Sequence, residues 1–355
     1  MSGPNSPTRK VRVLVVDDSA FVRRAIIRMF DNSKEISIID VASDGQMAIE
    51  LIKKLQPDVV TLDVQMPVLD GISALERIMK ECPVPVVMLS SLTGRGGDQT
   101  LRALDLGAVD FIDKSSAGGV MDLSNLLMEL TSKIMVAARI DLKKLHSHVE
   151  KVRICPVKQP ASTLSNSEAV FIGISTGGPP ALQSILSAIP AAFRVPIFIV
   201  QHMPVGFTSS LAARLNRTCA ISVKEAENDE IALPGTAYVA PGGTHLKVRR
   251  SPDNGEIRMS LDMLPSDTLH RPSVDVLFQS AAEFVGDKAL AFVLTGMGKD
   301  GVAGAKAIKE AGGCVFAESE ATAVVFGMPK AVIEAVKVDG VVPLYSVADT
   351  MLRMT

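Results

Sequence analysis

Two separate series of short, β-branched apolar runs, each alternating with segments of helical period, constrain this chain more than any other feature. In the first series the runs are Val11–Val16, Ile36–Val41, Val59–Leu62, Val84–Leu89 and Val109–Ile112. Between them lie Phe21–Phe30, Gln46–Leu55, Ile72–Lys80 and Gln99–Leu106, and Met121–Leu145 follows as a long helical segment. Continuously apolar strands are buried on both faces, and strands alternating with amphipathic helices form a parallel sheet with helices on each side. A second series opens with strands at Ala169–Ile174, Pro196–Val200, Ala220–Val223, Thr236–Val239, Leu290–Leu294 and Cys314–Ala317. Its helices are expected at Pro180–Ile189, Thr208–Leu215, Ser273–Phe284, Val302–Glu310 and Pro329–Val336. Leu246–Arg249 and Ile257–Leu261 flank Asn254-Gly255, a hairpin signal.

The series are separated by His146–Glu168, which contains Pro156, Pro160 and a Ser/Thr/Asn cluster without a period. It reads as a linker. A length of 355 residues suits two domains. The boundaries are expected at 10–125 for the first domain, 126–168 for a helix and linker, and 169–355 for the second domain. The connector is net basic between two net acidic bodies, so it is either a solvated spacer or touches an acidic neighbour.

A net charge of −2 argues against a strongly basic nucleic-acid-binding protein. With 12 Phe, 2 Tyr and no Trp, the chain also lacks the material for a base-stacking surface. Cys82, Cys155, Cys219 and Cys314 form no CxxC pair and have no zinc-type histidine spacing, so free thiols in a reducing cytosol are expected. The polar start, Met1 to Lys10, has no signal-peptide core, and no run approaches the ~18 apolar residues of a membrane helix. A soluble, cytoplasmic protein without membrane insertion is expected.

Polar residues at strand ends locate two sites. Asp17 and Asp18 follow the first strand, Asp63 the third, Ser90 the fourth and Lys114 the fifth. In a parallel sheet these ends share one edge, where ligands bind at the switch point. Converging carboxylates repel unless a cation sits among them, and Mg²⁺ takes oxygen ligands of this kind. Asp63 is then a candidate nucleophile for an acyl phosphate, with Lys114 and Ser90 able to bind phosphoryl oxygens. The alternative is acidic residues ending strands in solvent.

In the second series, Gly173-Ile174-Ser175-Thr176-Gly177-Gly178-Pro179-Pro180 forms a strand, a Gly-rich turn and a helix start. It fits the G-x-S-x-G elbow, which raises a hydroxyl above the sheet and aims helix N–H groups at an oxyanion. Such turns also bind phosphates, and Ser is a common N-cap. His202 follows the next strand and is a suitable base for Ser175. His245, after Pro241-Gly242-Gly243, is its rival, and His270 is less well placed. His146 and His148 fall in the linker. Asp300, in the turn Leu294–Gly301, can orient the imidazole or cap the helix near Val302, and Asp275 is a rival inside a helix pattern. Thr176, Gly177 and Met297 are candidates for the oxyanion site or pocket.

Two resemblances follow from these stretches. Val13–Ser19, Leu62–Gly71 and Asp113-Lys114 resemble the receiver domain of two-component response regulators across about residues 11–125. The resemblance implies a cation on Asp17, Asp18 and Asp63, phosphorylation of Asp63, and switch roles for Ser90 and Lys114, with Ser91 a neighbouring alternative to Ser90. Gly173–Pro179, Ile199–Pro204, Ala240–Gly243, Arg271–Phe278 and Leu294–Gly301 resemble the catalytic domain of the chemotaxis protein-glutamate methylesterases. This implies a Ser175–His202–Asp300 triad that demethylates glutamyl methyl esters and deamidates certain glutamines on methyl-accepting chemoreceptors. A chemotaxis histidine kinase would be the phosphodonor, and the esterase chemistry would need no cofactor.

The implied fold class is α/β with two domains. These are a flavodoxin-like receiver with a five-stranded parallel sheet and a doubly wound, mostly parallel α/β hydrolase-type domain with an antiparallel hairpin. The order Ser…His…Asp differs from that of the α/β-hydrolases themselves. Two other outputs stay open: a non-catalytic protein- or DNA-binding domain, and a nucleotide site at Gly173–Gly178. The first lacks a helix-turn-helix, and the second lacks both G-x-G-x-x-G and a P-loop lysine.

Overall fold

The computed structural model describes residues 9–90, 96–114, 120–142 and 167–355. The chain falls into two compact units, Met1–His146 and Ser147–Thr355. Most of the expected linker, with Cys155, His146 and His148, lies outside the described residues, as does Ser91.

The first unit runs β1 (Val11–Val16), α1 (Ala20–Phe30), β2 (Ile36–Ala42), α2 (Gly45–Leu55), β3 (Val59–Asp63), α3 (Gly71–Glu81), β4 (Val86–Ser90), α4 (Gly96–Asp105), β5 (Asp110–Asp113) and α5 (Val120–Ala137). Its sheet has the order β2-β1-β3-β4-β5 and every pairing is parallel. β3 and β4 are buried along their whole length, which is why they read as unbroken apolar runs. Acceptor side chains start the helices: Asp44 accepts from Met47 N, and Asp70 accepts from the N–H groups of Ile72 and Ser73. The helix expected to reach Leu145 ends at Ala137. There Arg139 and Ile140 donate to carbonyls only three residues back, tightening the last turn.

The second unit runs β6 (Ala169–Ile174), α6 (Gly178–Ser187), β7 (Ile197–Gln201), α7 (Phe207–Thr218), β8 (Ser222–Glu225), β9 (Thr236–Val239), β10 (His245–Arg250) and β11 (Ile257–Asp262). It continues with α8 (Val274–Phe284), β12 (Ala289–Val293), α9 (Val302–Glu310), β13 (Cys314–Glu318), α10 (Met328–Ala335), β14 (Gly340–Val342) and α11 (Val347–Met354). Seven strands form one parallel sheet, ordered β14-β13-β12-β6-β7-β9-β8. β10 and β11 pair antiparallel apart from it, closed by a loop in which Gly255 takes a φ of +71°.

Three of the scarce aromatics form a stack in this core. Phe171, Phe198 and Tyr238 stack across three adjacent strands at 5.2 and 5.8 Å between centroids. Such pairs add about 0.5–1.5 kcal/mol each beyond their buried area. The chain leaves β6 toward β7 on one side and later returns to β12 on the other. The switch point is therefore at the carboxyl ends of β6 and β12, where a doubly wound sheet opens a crevice. β14 and α11 are not evident in the sequence pattern, one being three residues long and the other a short final helix held by buried Val347 and Met351.

Candidate active site and acceptor pocket

In the first unit, the carboxyl edge gathers the expected acidic group. Oxygens of Asp17, Asp18 and Asp63 lie within 4.8 Å of one another. Lys114 Nζ reaches Asp63 Oδ1 at 2.8 Å and Asp17 Oδ2 at 3.2 Å. Burial raises the Asp63 carboxyl above its ordinary value, the Lys114 ammonium opposes this, and the Asp17 charge adds to it. For Lys114, burial disfavours the charge, but the two carboxylates prevail and raise its pKa. Ser90 ends β4, and its buried hydroxyl accepts from Thr100 Oγ1 at 2.8 Å. Three hard oxygen donors at this spacing fit a small divalent cation.

In the second unit, Ser175 lies one residue beyond β6. Its N–H donates to Thr295 O, and its own carbonyl accepts from Gly178 N at 2.8 Å, closing the turn. Gly177, not Ser175, is the N-cap of α6 and holds a φ of +79°, a left-handed value that favours glycine. The serine hydroxyl is thus not spent on capping. Pro179 and Pro180 occupy the first turn of α6, where missing N–H groups cost nothing. Residues 176 and 177 stand at the start of this helix, whose first N–H groups lack partners within it. Gly296 approaches from the β12 side: a Cβ there would come within 2.7 Å of Ser175 Cβ. Met297 follows directly.

His202 lies one residue beyond β7, its ring mostly buried, and His202 Nε2 meets Asp300 Oδ2 at 2.8 Å. Asp300 does not cap its own helix α9, which begins from Gly301. It instead caps α8 from across the sheet edge. It accepts from Ser273 Oγ (2.9 Å), Val274 N (2.7 Å) and Asp275 N (2.9 Å). Burial works to raise the Asp300 pKa, but the bonds from His202 and the α8 N-terminus prevail and hold it well below the carboxylate range. An ionised carboxylate only accepts, so the proton sits on His202 Nε2. His202 Nδ1 is left buried and without a hydrogen-bond partner, as the basic nitrogen of the ring.

The rivals are otherwise engaged. His245 is fully buried; Nδ1 accepts from Ser273 N at 3.2 Å, and Nε2 faces Pro265 O at 3.1 Å. Burial lowers its pKa. Asp275 Oδ1 accepts from Gly304 N at 2.7 Å, tying α8 to α9.

With this geometry in place, likeness to known proteins is informative. The family profile described as CheB methylesterase matches residues 170–351, and that described as response regulator receiver domain matches residues 13–122. The chain belongs to the CheB methylesterase family. It is 45% identical over 350 residues to the protein-glutamate methylesterase/protein-glutamine glutaminase of Lawsonia intracellularis, spanning 95% of this chain and 97% of that protein. It is 45% identical over 344 residues to the protein of the same name from Archaeoglobus fulgidus, spanning 97% of each. The crystal structure of the Thermotoga maritima CheB methylesterase catalytic domain matches over 54% of this chain and all of its own, with 45% identity and a TM-score of 0.52.

Ser273 and Gln201 of this methylesterase-family site escape sequence reasoning, and His270 is weighed there only as a less well placed base. His270 stacks on His202, with ring centroids 4.1 Å apart and planes at 22°. Ser273 donates to Asp300 from just before α8. Gln201 donates to the carbonyls of both Ser175 and His202. The signal for Gln201 is an amide closing an otherwise apolar strand immediately before the histidine. Among the described residues, Cys82, Cys219 and Cys314 are free thiols, and no helix is long and apolar enough to cross a membrane.

Proposed function

We propose that this chain is a phosphorylation-activated hydrolase that removes methyl esters from glutamyl side chains of methyl-accepting chemoreceptors. The observation that carries the reading is the His202–Asp300 pair, with Nε2 bonded at 2.8 Å and Nδ1 left buried and unpartnered, on a residue whose N–H donates to Ile174 O immediately before Ser175. Ser175 Oγ attacks the ester carbonyl carbon as His202 Nδ1 takes the hydroxyl proton. Asp300 stabilises the imidazolium. Main-chain N–H groups around Thr176, Gly177 and Met297 face the oxyanion. Collapse breaks the C–O bond to the methoxy group, which leaves as methanol with the proton from His202. Water, deprotonated by the same nitrogen, then attacks the acyl-enzyme and frees the glutamate carboxylate and Ser175. Deamidation of certain glutamines runs through the same steps with ammonia leaving. The ring is turned relative to the common triad, in which the nitrogen nearer the carboxylate is Nδ1.

The first domain (10–125) acts as the receiver, 126–168 as the connector and 169–355 as the catalytic domain. Asp63 accepts the phosphoryl group from a chemotaxis histidine kinase. Asp17, Asp18 and Asp63 would hold Mg²⁺, which when bound offsets negative charge in the pocket. Lys114 pairs with the acyl phosphate, and Ser90 turns toward it and relays the change. The setting is cytoplasmic, with no nucleic acid partner and no cofactor for the ester chemistry. The alternative, a non-catalytic output domain, leaves the buried His202–Asp300 pair without a purpose. Methanol release from methylated receptor membranes tests the chemistry. Wild type should release methanol and Ser175→Ala should lower the rate at least ~10³-fold. No release by wild type refutes the esterase, and unchanged release by the variant refutes Ser175.

A further inference from the structure

Gln201 closes β7 with only 2% of its surface exposed, in register with Ile174 of β6. The two residues that follow this register pair are Ser175 and His202. The two N–H bonds of the Gln201 amide are both used: Nε2 donates to Ser175 O at 3.0 Å and to His202 O at 3.2 Å. One planar group thus spans the main chains of the residues read as nucleophile and base. Its other end is fixed sterically. A Cβ on Gly178 would fall 1.8 Å from Gln201 Oε1, so the amide fills the space that any other residue at 178 would take. Gln201 Oε1 is buried and has no hydrogen-bond partner. An orphaned buried acceptor is costly, and a side chain kept for packing alone would not carry that cost.

We propose that Gln201 is a positioning residue that sets the separation of Ser175 and His202. The inference rests on the roles given to those two residues above. The amide makes no contact with the reacting atoms; it acts through the two carbonyls, and Gly178 keeps the amide in its slot. Displacing a reacting group by about 1 Å costs on the order of 10²-fold in rate, so the effect belongs in kcat. Substrate docking does not involve this buried group, so KM should hold.

The test measures methanol release from methylated receptor membranes by the full chain, with the rate of Ser175 phosphonylation by a fluorophosphonate read in parallel. Four variants are compared with wild type: Gln201→Leu, Gly178→Ala, Gln201→Ala/Gly178→Ala and Ser175→Ala. Gln201→Leu should lower kcat about 10²-fold with KM within about twofold, and should slow phosphonylation by the same factor. Gly178→Ala, which leaves Gln201 in place but drives a methyl into its amide, should reproduce the loss. The double variant should be no slower than Gln201→Leu, because the new methyl then enters the space the amide has left. If Gln201→Leu fails to fold, Gly178→Ala carries the test alone. Wild-type kcat in either single variant, or a change in KM alone, overturns the proposal. Full turnover by Ser175→Ala instead overturns the nucleophile assignment beneath it.

Discussion

Asp300 accepts four hydrogen bonds on two oxygens, and three of them come from residues 273–275 rather than from the histidine. The carboxylate is therefore oriented by a helix start before any substrate binds. Its folded pKa is depressed, so its stabilising effect is complete above the ordinary carboxylate value of 3.8 and is lost as pH falls toward the folded value. Asp300→Asn should remove that acid sensitivity from the catalytic unit. It should also lower methanol release by about 10³- to 10⁴-fold, because an amide cannot hold the Nε2 proton as a carboxylate does. A pH series of unfolding midpoints and one rate measurement check both. At this scale, the placement of most candidates was legible: Ser175, His202, Asp17, Asp18, Asp63, Ser90 and Lys114 stand at or next to strand ends, which are read from where apolar runs stop, and Asp300 stands in the Gly-rich turn after β12. Gln201 and Ser273 were not legible as site residues, and His270 was legible only as a less well placed candidate base, not as a ring stacked on His202. The partners Ser175 of Gln201, Asp300 of Ser273 and His202 of His270 lie 26, 27 and 68 positions away, and only strand register and loop path bring them together.

The elements show why one of the two best-placed histidines keeps a ring nitrogen without a hydrogen-bond partner and the other has both engaged. β7 delivers His202 to the switch point, whereas His245 begins β10, outside the seven-stranded sheet, and pins the 265–273 loop through Pro265 O and Ser273 N. His245→Phe should destabilise the catalytic unit by about 2 kcal/mol or more, since both backbone groups lose their buried partner. Below the unfolding transition, turnover should stay within about tenfold of wild type; loss of turnover in a fully folded variant would make His245 part of the chemistry. Element boundaries were legible to within a residue in the fully buried β3, β6 and β12, while β4 begins two residues after its apolar run. They were less so at β14, too short for a period, and at the end of α5, where a switch to shorter-range bonds stops a helix whose sequence continues to favour it.

Taken whole, the chain joins two parallel sheets, each with a polar cluster at its own carboxyl edge: acidic residues around Asp63, and the hydrogen-bonded His202–Asp300 pair on the edge that carries Ser175. Each unit has a buried core of its own, and the Thermotoga maritima catalytic domain that matches the second was crystallised as a domain. A fragment starting near Ser165 should therefore fold alone. If the receiver restrains the catalytic unit, the fragment should release methanol faster than the unphosphorylated full chain; an equal or lower rate argues against restraint. A restraint of a few kcal/mol suffices for such a switch. The coupling between Asp63 and Ser175 is the central claim, and methanol release by the full chain with and without a small phosphodonor and Mg²⁺ tests it most directly. The rate should rise on phosphodonor addition in wild type and stay at its basal value in Asp63→Asn. A rise of equal size in Asp63→Asn, or no rise in wild type, would contradict it.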